Sequence, residues 1–183
     1  MAKTGLVRSG LLGLAGLALV LAAVVWAASA KGGLELTVTP VQGGAPLLVL
    51  ALEPGERFTL HYIHSVDKAP VWEEHSVDAA GRIFIEEERF VMFGAGMGHW
   101  AGHGRLTSRD GYQVIEDIHQ PTGQFVLRVG SPGVDHTVIW RGTRTNLSAL
   151  APGRAVRFSA RPVSRLKQAQ RFLFPHPKTP RLE

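Results

Sequence analysis

The chain of 183 residues contains no cysteine. A disulfide framework and a lipid-modified cysteine behind a leader are therefore both excluded. An oxidising compartment is permitted by that count, without being supported by it. No Gly-x-Ser-x-Gly elbow and no Gly-x-x-x-x-Gly-Lys phosphate loop occurs, which removes two common marks of hydrolases and nucleotide-binding proteins. Gly94-x-Gly96 precedes no helical pattern, so it is a poor dinucleotide fingerprint. No cofactor is expected and no catalytic residue is assigned. Charge is missing from Leu11 to Ala30, and acid is missing from Arg154 to Arg181, where eight cations stand.

The uncharged run lies behind Lys3 and Arg8. Twenty residues at a helical rise span about 30 Å, the thickness of a bilayer's hydrocarbon core. Cations favour the cytoplasmic side, which places the rest of the chain across the membrane. Two readings of the run stand: a retained single-pass anchor, or a signal peptide cleaved after Ala30, where Ala28-Ser29-Ala30 supplies a small-x-small triplet. The expected location is the cell membrane with an extracytoplasmic domain, or the periplasm if the leader is cut.

Beyond the leader, residues 34–163 form one domain of ordinary size, followed by a basic, proline-containing tail at 164–183. The formal net charge is +5. Cations clustered near the end suit a membrane surface with anionic lipids. Nucleic acid is not an expected partner, because export separates the two and no reading motif is present.

Strand signals dominate. Leu34, Leu36 and Val38 alternate with polar neighbours, Leu47–Leu52 is continuously apolar, and Phe58, Leu60 and Tyr62 alternate with Arg57, Thr59 and His61. Val71–Asp78 and Arg82–Glu88 flank Ala79-Ala80-Gly81, a hairpin turn signal. Further short runs at Gln113–Ile118, Phe125–Val129, Thr137–Arg141 and Arg154–Val163 each follow a glycine turn. The spacing predicts an all-β fold, an antiparallel sandwich or partly open barrel. Gly94–Gly104 is a glycine-dense loop, and Ser164–Phe174 carries a short amphipathic stripe that proline ends.

Alternation puts His64 on the apolar face with Phe58, Leu60 and Tyr62, and puts Glu73 and His75 with Val71 and Val77. A hairpin turning at Asp67-Lys68-Ala69-Pro70 sets Val66 against Val71, His64 against Glu73 and Tyr62 against His75. Burying a carboxylate requires a partner; a His64–Glu73 pair meets that need. The cluster is read either as a structural device that fixes register or as a ligand-binding site. A metal site built on His64, Glu73 and His99 or His103 is a third option, since histidine and carboxylate bind zinc. His61-x-x-His64 on a strand points both ways and holds no single ion. His119, His136 and His176 read as surface residues.

Tyr62-Ile63-His64-Ser65-Val66, then Pro70-Val71-x-Glu73, then Phe93-Gly94-Ala95-Gly96 resemble the domain of unknown function 1850 family, small exported proteins with a His-Ser-Val signature. The likeness covers roughly residues 34 to 160. It matches Tyr62, His64, Ser65, Pro70, Val71, Glu73, Gly94 and Gly96, and departs where Gly98-His99 stands in place of a proline. Members are encoded beside permeases of TAXI-type TRAP transporters. The resemblance implies an accessory role in solute uptake, with the permease or the solute-binding subunit and the cytoplasmic membrane as partners.

Together these readings give Tyr62, His64, Ser65, Glu73, His75, Gly94, Gly96 and Arg105 as candidate contacts for a small anionic solute or the permease. His64 and Arg105 are the cationic members. A metal-assisted envelope hydrolase and a structural envelope module are the alternatives.

Overall fold

Apolar–polar alternation becomes strand along most of the chain in the computed structural model, which describes residues 16–26, 28, 31–91, 102–164 and 166–167. The chain divides into two units: Leu34–Pro162, and the ends Met1–Gly33 with Val163–Glu183. In the terminal unit, residues 16–26 form helix α1. Among the described residues no helix is long and apolar enough to cross a membrane. Residues 1–15, 27, 29 and 30 of the expected leader, and most of the stripe at 164–174, lie outside the described residues.

Two antiparallel sheets make the all-β fold. The four-stranded sheet takes β2 (Leu48–Leu52), β1 (Lys31–Pro40), β12 (Ala155–Ser164) and β9 (Phe125–Arg128) in that order. The eight-stranded sheet runs β11 (Thr143–Asn146), β10 (Thr137–Trp140), β3 (Arg57–Ile63), β4 (Pro70–Val77), β5 (Ile83–Phe90), β7 (Tyr112–Glu116) and β6 (Arg105–Arg109). Its last member, β8 (Gln120–Pro121), also pairs with β5. One four-residue helix, α2 (Leu147–Leu150), follows β11 and is capped by the Asn146 side chain.

The inward residues of both sheets form one core. Leu34, Leu36, Val38, Leu52, Val156 and Phe158 meet Phe58, Leu60, Val77, Ile83 and Val138. Each such side chain contributes roughly 1.5–3 kcal/mol by leaving water. A second, smaller cluster holds Val71, Ile85, Phe90, Ile115 and Ile118, and Tyr62 packs against both. The Ala79-Ala80-Gly81 signal does turn β4 into β5. Gly81 has φ +83, and a Cβ there would lie 2.8 Å from the Ala160 carbonyl oxygen, so only glycine fits this approach to β12.

The β3–β4 register differs from the expected one by four residues. Leu60, not His64, opposes Glu73; Phe58, not Tyr62, opposes His75; and Tyr62 opposes Val71. The cause is a wide turn. His64 N–H bonds the Ala69 carbonyl at 2.8 Å, Lys68 N–H bonds the His64 carbonyl at 3.0 Å, and Lys68 takes φ 55. Residues 64 to 69 therefore belong to the connection. An even slip preserves the faces, so Tyr62, Glu73 and His75 still point inward.

Strand β5 carries an extra residue. Glu74 opposes Glu87 while His75 opposes Ile85, which leaves Glu86 as a bulge. Ile83 and Ile85 before it, and Glu88 and Phe90 after it, thereby face the same side.

Candidate functional site

Glu73 is the hub of the inward polar cluster. The Tyr62 hydroxyl donates to Glu73 Oε1 at 3.0 Å. The two residues are diagonal neighbours across β3–β4, a separation that an aromatic side chain bridges. His75 Nε2 lies 3.3 Å from Glu73 Oε2; a carboxylate only accepts, so Nε2 carries the proton. His75 is 3% exposed, and its Nδ1 has no hydrogen-bond partner among the described residues. Its ring is stacked between Phe58 at 5.2 Å and Phe125 at 5.4 Å. One residue from each sheet thus grips the imidazole and fixes the donor that reaches Glu73.

Two further polar residues adjoin the hub. Glu88 opposes Glu73 directly across β4–β5 and is buried. His136 is also buried, and its ring lies 5.1 Å from that of Tyr62. The Gly130 N–H donates to His136 Nδ1 at 2.9 Å, which requires that nitrogen to be unprotonated. Burial lowers the His136 pKa, opposed by the charge of Glu73. Burial also raises the Tyr62 pKa, assisted by the charge and hydrogen bond of Glu73 and by Glu88, so the phenol stays a donor. The Glu73 side chain is 23% exposed, and Tyr62 is likewise only partly buried.

The expected members separate as follows. Tyr62, Glu73 and His75 come together. His64 does not join them: its Nδ1 lies 2.7 Å from Asp67 Oδ2 inside the turn. Ser65 is exposed at the same turn. Arg105 sits on β6, paired with Glu116 at 2.5 Å and with Asp117 at 3.7 Å. Gly94, Gly96 and His99 lie outside the described residues. Among the described residues no group of His, Cys, Asp or Glu is arranged to hold a metal ion. The register removes the ligand set that paired His64 with Glu73, and the Gln120 side-chain amide bonds His103 Nδ1 at 2.8 Å. Gly104 closes the described end of the glycine loop with φ +80, where a Cβ would meet Ile115 Cγ2 at 2.6 Å.

His136 is not the surface residue that the sequence reading makes it. It stands two positions before Val138 and so shares that residue's inward face, a signal present in the alternation. Glu88 relates to Phe90 in the same way.

A β-sandwich whose larger sheet carries a tyrosine–glutamate–histidine network on its core side defines this chain as a small all-β domain. Residues 58–147 match the family model described as Domain of unknown function (DUF1850), and over that stretch the chain belongs to this family. No curated protein and no solved structure matches it.

Proposed function

We propose that the protein is a non-enzymatic accessory module of a TAXI-type TRAP solute transporter, held at the outer face of the cytoplasmic membrane by its leader. In this reading the Glu73 network is a contact surface for the permease. The uncharged run behind Lys3 and Arg8 supports the address, and the family resemblance supports the partner.

One observation carries the choice of a docking surface. The Glu73 carboxylate is partly exposed, yet both of its oxygens are fixed by donors on rigid strands. Such an acceptor suits a hydroxyl, an amide N–H or an ammonium on a partner, and repels an anion. Contact with the permease therefore fits this surface better than contact with an anionic solute.

Co-purification of the full chain with the permease from detergent tests the proposal. The expected result is a complex with wild-type protein and a weaker one with Glu73→Gln. Failure of the wild-type chain to co-purify, with transport intact in a deletion strain, rejects it.

A further inference from the structure

The outer face of the same sheet carries a cavity of about 460 Å³ where β3, β4 and β5 come together beside His119. Arg57 opposes Ser76, and Ser76 opposes Phe84, so these three side chains form a row across the strands. Ser76 follows His75 in β4 and points away from the Glu73 network. The His119 ring lies flat on Phe84, with centroids 4.6 Å apart and planes at 6°. The Arg82 guanidinium sits 5.6 Å from the Phe84 ring.

The charges of this cavity are unevenly engaged. Asp78 Oδ1 accepts from the Ala80 and Arg82 amides at 2.9 Å, and Oδ2 accepts from Arg82 Nε at 2.7 Å. Glu86 accepts from the Ser76 hydroxyl and from His119 Nδ1. Both carboxylates are thus served by the fold. The cations are not. Among the described residues Arg82 gives only its Nε to Asp78, and neither terminal nitrogen forms an ion pair. Arg57 is exposed and has no ion pair or side-chain hydrogen bond among the described residues. The hydrogen-bonding capacity left over is mainly that of donors on planar guanidinium groups, which match a carboxylate in a two-pronged geometry.

We propose that this cavity binds a small carboxylate anion, held by Arg57 and Arg82 beside the Phe84–His119 wall. The site does not rest on the transporter reading, because it shares no residue with the Glu73 surface.

The test uses the full chain in a non-ionic detergent. Acetate, succinate and inorganic phosphate are each titrated against chloride at constant ionic strength, followed by calorimetry and by melting temperature. A ligand that binds only the folded state raises the melting temperature in a saturable way. The expected result is one-to-one binding of acetate or succinate. Arg57→Gln and Arg82→Gln each weaken it at least about tenfold, while Arg128→Gln on β9 leaves it unchanged. Among the described residues the Arg57 side chain has no ion pair or hydrogen bond, so Arg57→Gln retains the wild-type melting temperature without ligand and separates lost binding from lost structure. Three results overturn the proposal: no saturable binding of either carboxylate, unaltered binding in Arg57→Gln, or phosphate binding tighter than both carboxylates.

Discussion

The inner and outer faces of the β3–β4–β5 segment use alternate residues of the same three strands, yet they manage polarity in opposite ways. Inside, few polar groups are present, and Glu73 is held by fixed donors among stacked rings. Outside, charges are many and pair loosely: Glu87 accepts from both Arg89 and Arg109, and Arg57 stands apart from such pairs. Desolvation accounts for the contrast. A buried polar group must be satisfied by the fold itself, whereas water satisfies an exposed one and leaves it available to a ligand.

The largest test of this contrast is removal of a ring from the inner stack. Phe58 is 1% exposed and touches His75 and Phe158. Phe58→Ala is expected to lower stability by about 3–5 kcal/mol in urea unfolding; a loss below 1 kcal/mol would show that the stack does not hold the sheets together. Next comes the hub. Glu73→Ala removes the hydrogen bonds that the carboxylate accepts from the Tyr62 hydroxyl and His75 Nε2, a cost of about 1–3 kcal/mol. Glu73→Gln keeps an acceptor oxygen and should cost less. Equal, negligible losses in the two variants would remove the structural role assigned to this carboxylate.

Acid sharpens the comparison further. Burial lowers the pKa of His136 on the inner face, and burial together with Arg144 lowers that of His61 on the outer face. The unfolded chain then binds more protons than the native one just below the ordinary histidine value near 6.5, so stability falls as the pH drops from 7 toward 5. His136→Gln should flatten that decline more than His61→Gln, as melting curves against pH would record. Equal slopes in both variants and the wild type would contradict the assignment. The smallest effect is expected outside: Arg109→Gln removes an exposed pair to Glu87 and should change unfolding stability by less than about 1 kcal/mol.

The strands were legible because alternation and glycine turns report directly on which residues leave water. Nine of the runs read from sequence correspond to strands, with ends displaced by a few residues. Strand β6 was not legible: Arg105–Arg109 is largely exposed, so burial leaves no period in its sequence. The facing of Tyr62, Glu73 and His75 was legible for the same reason that the strands were. Their partners were not, since register depends on the shape of the turn, and the left-handed Lys68 carries no glycine to announce it. His64 looked like a core residue because alternation was carried past Ile63, where the strand stops. The Arg57 cavity was invisible, because it is assembled from the starts and ends of separate strands and from His119.

The bulged Glu86, which has no register partner in β4, acts as a phase shifter. With it, a strand of eight residues keeps Ile83 and Ile85 before the bulge, and Glu88 and Phe90 after it, on the same inward side. Excising that one position would restore strict alternation and exchange the roles of everything downstream, turning Glu88 and Phe90 toward water and Glu87 and Arg89 toward oil. A chain of this kind can absorb many point changes along β5, but losing or gaining a single residue there would turn half of the strand inside out.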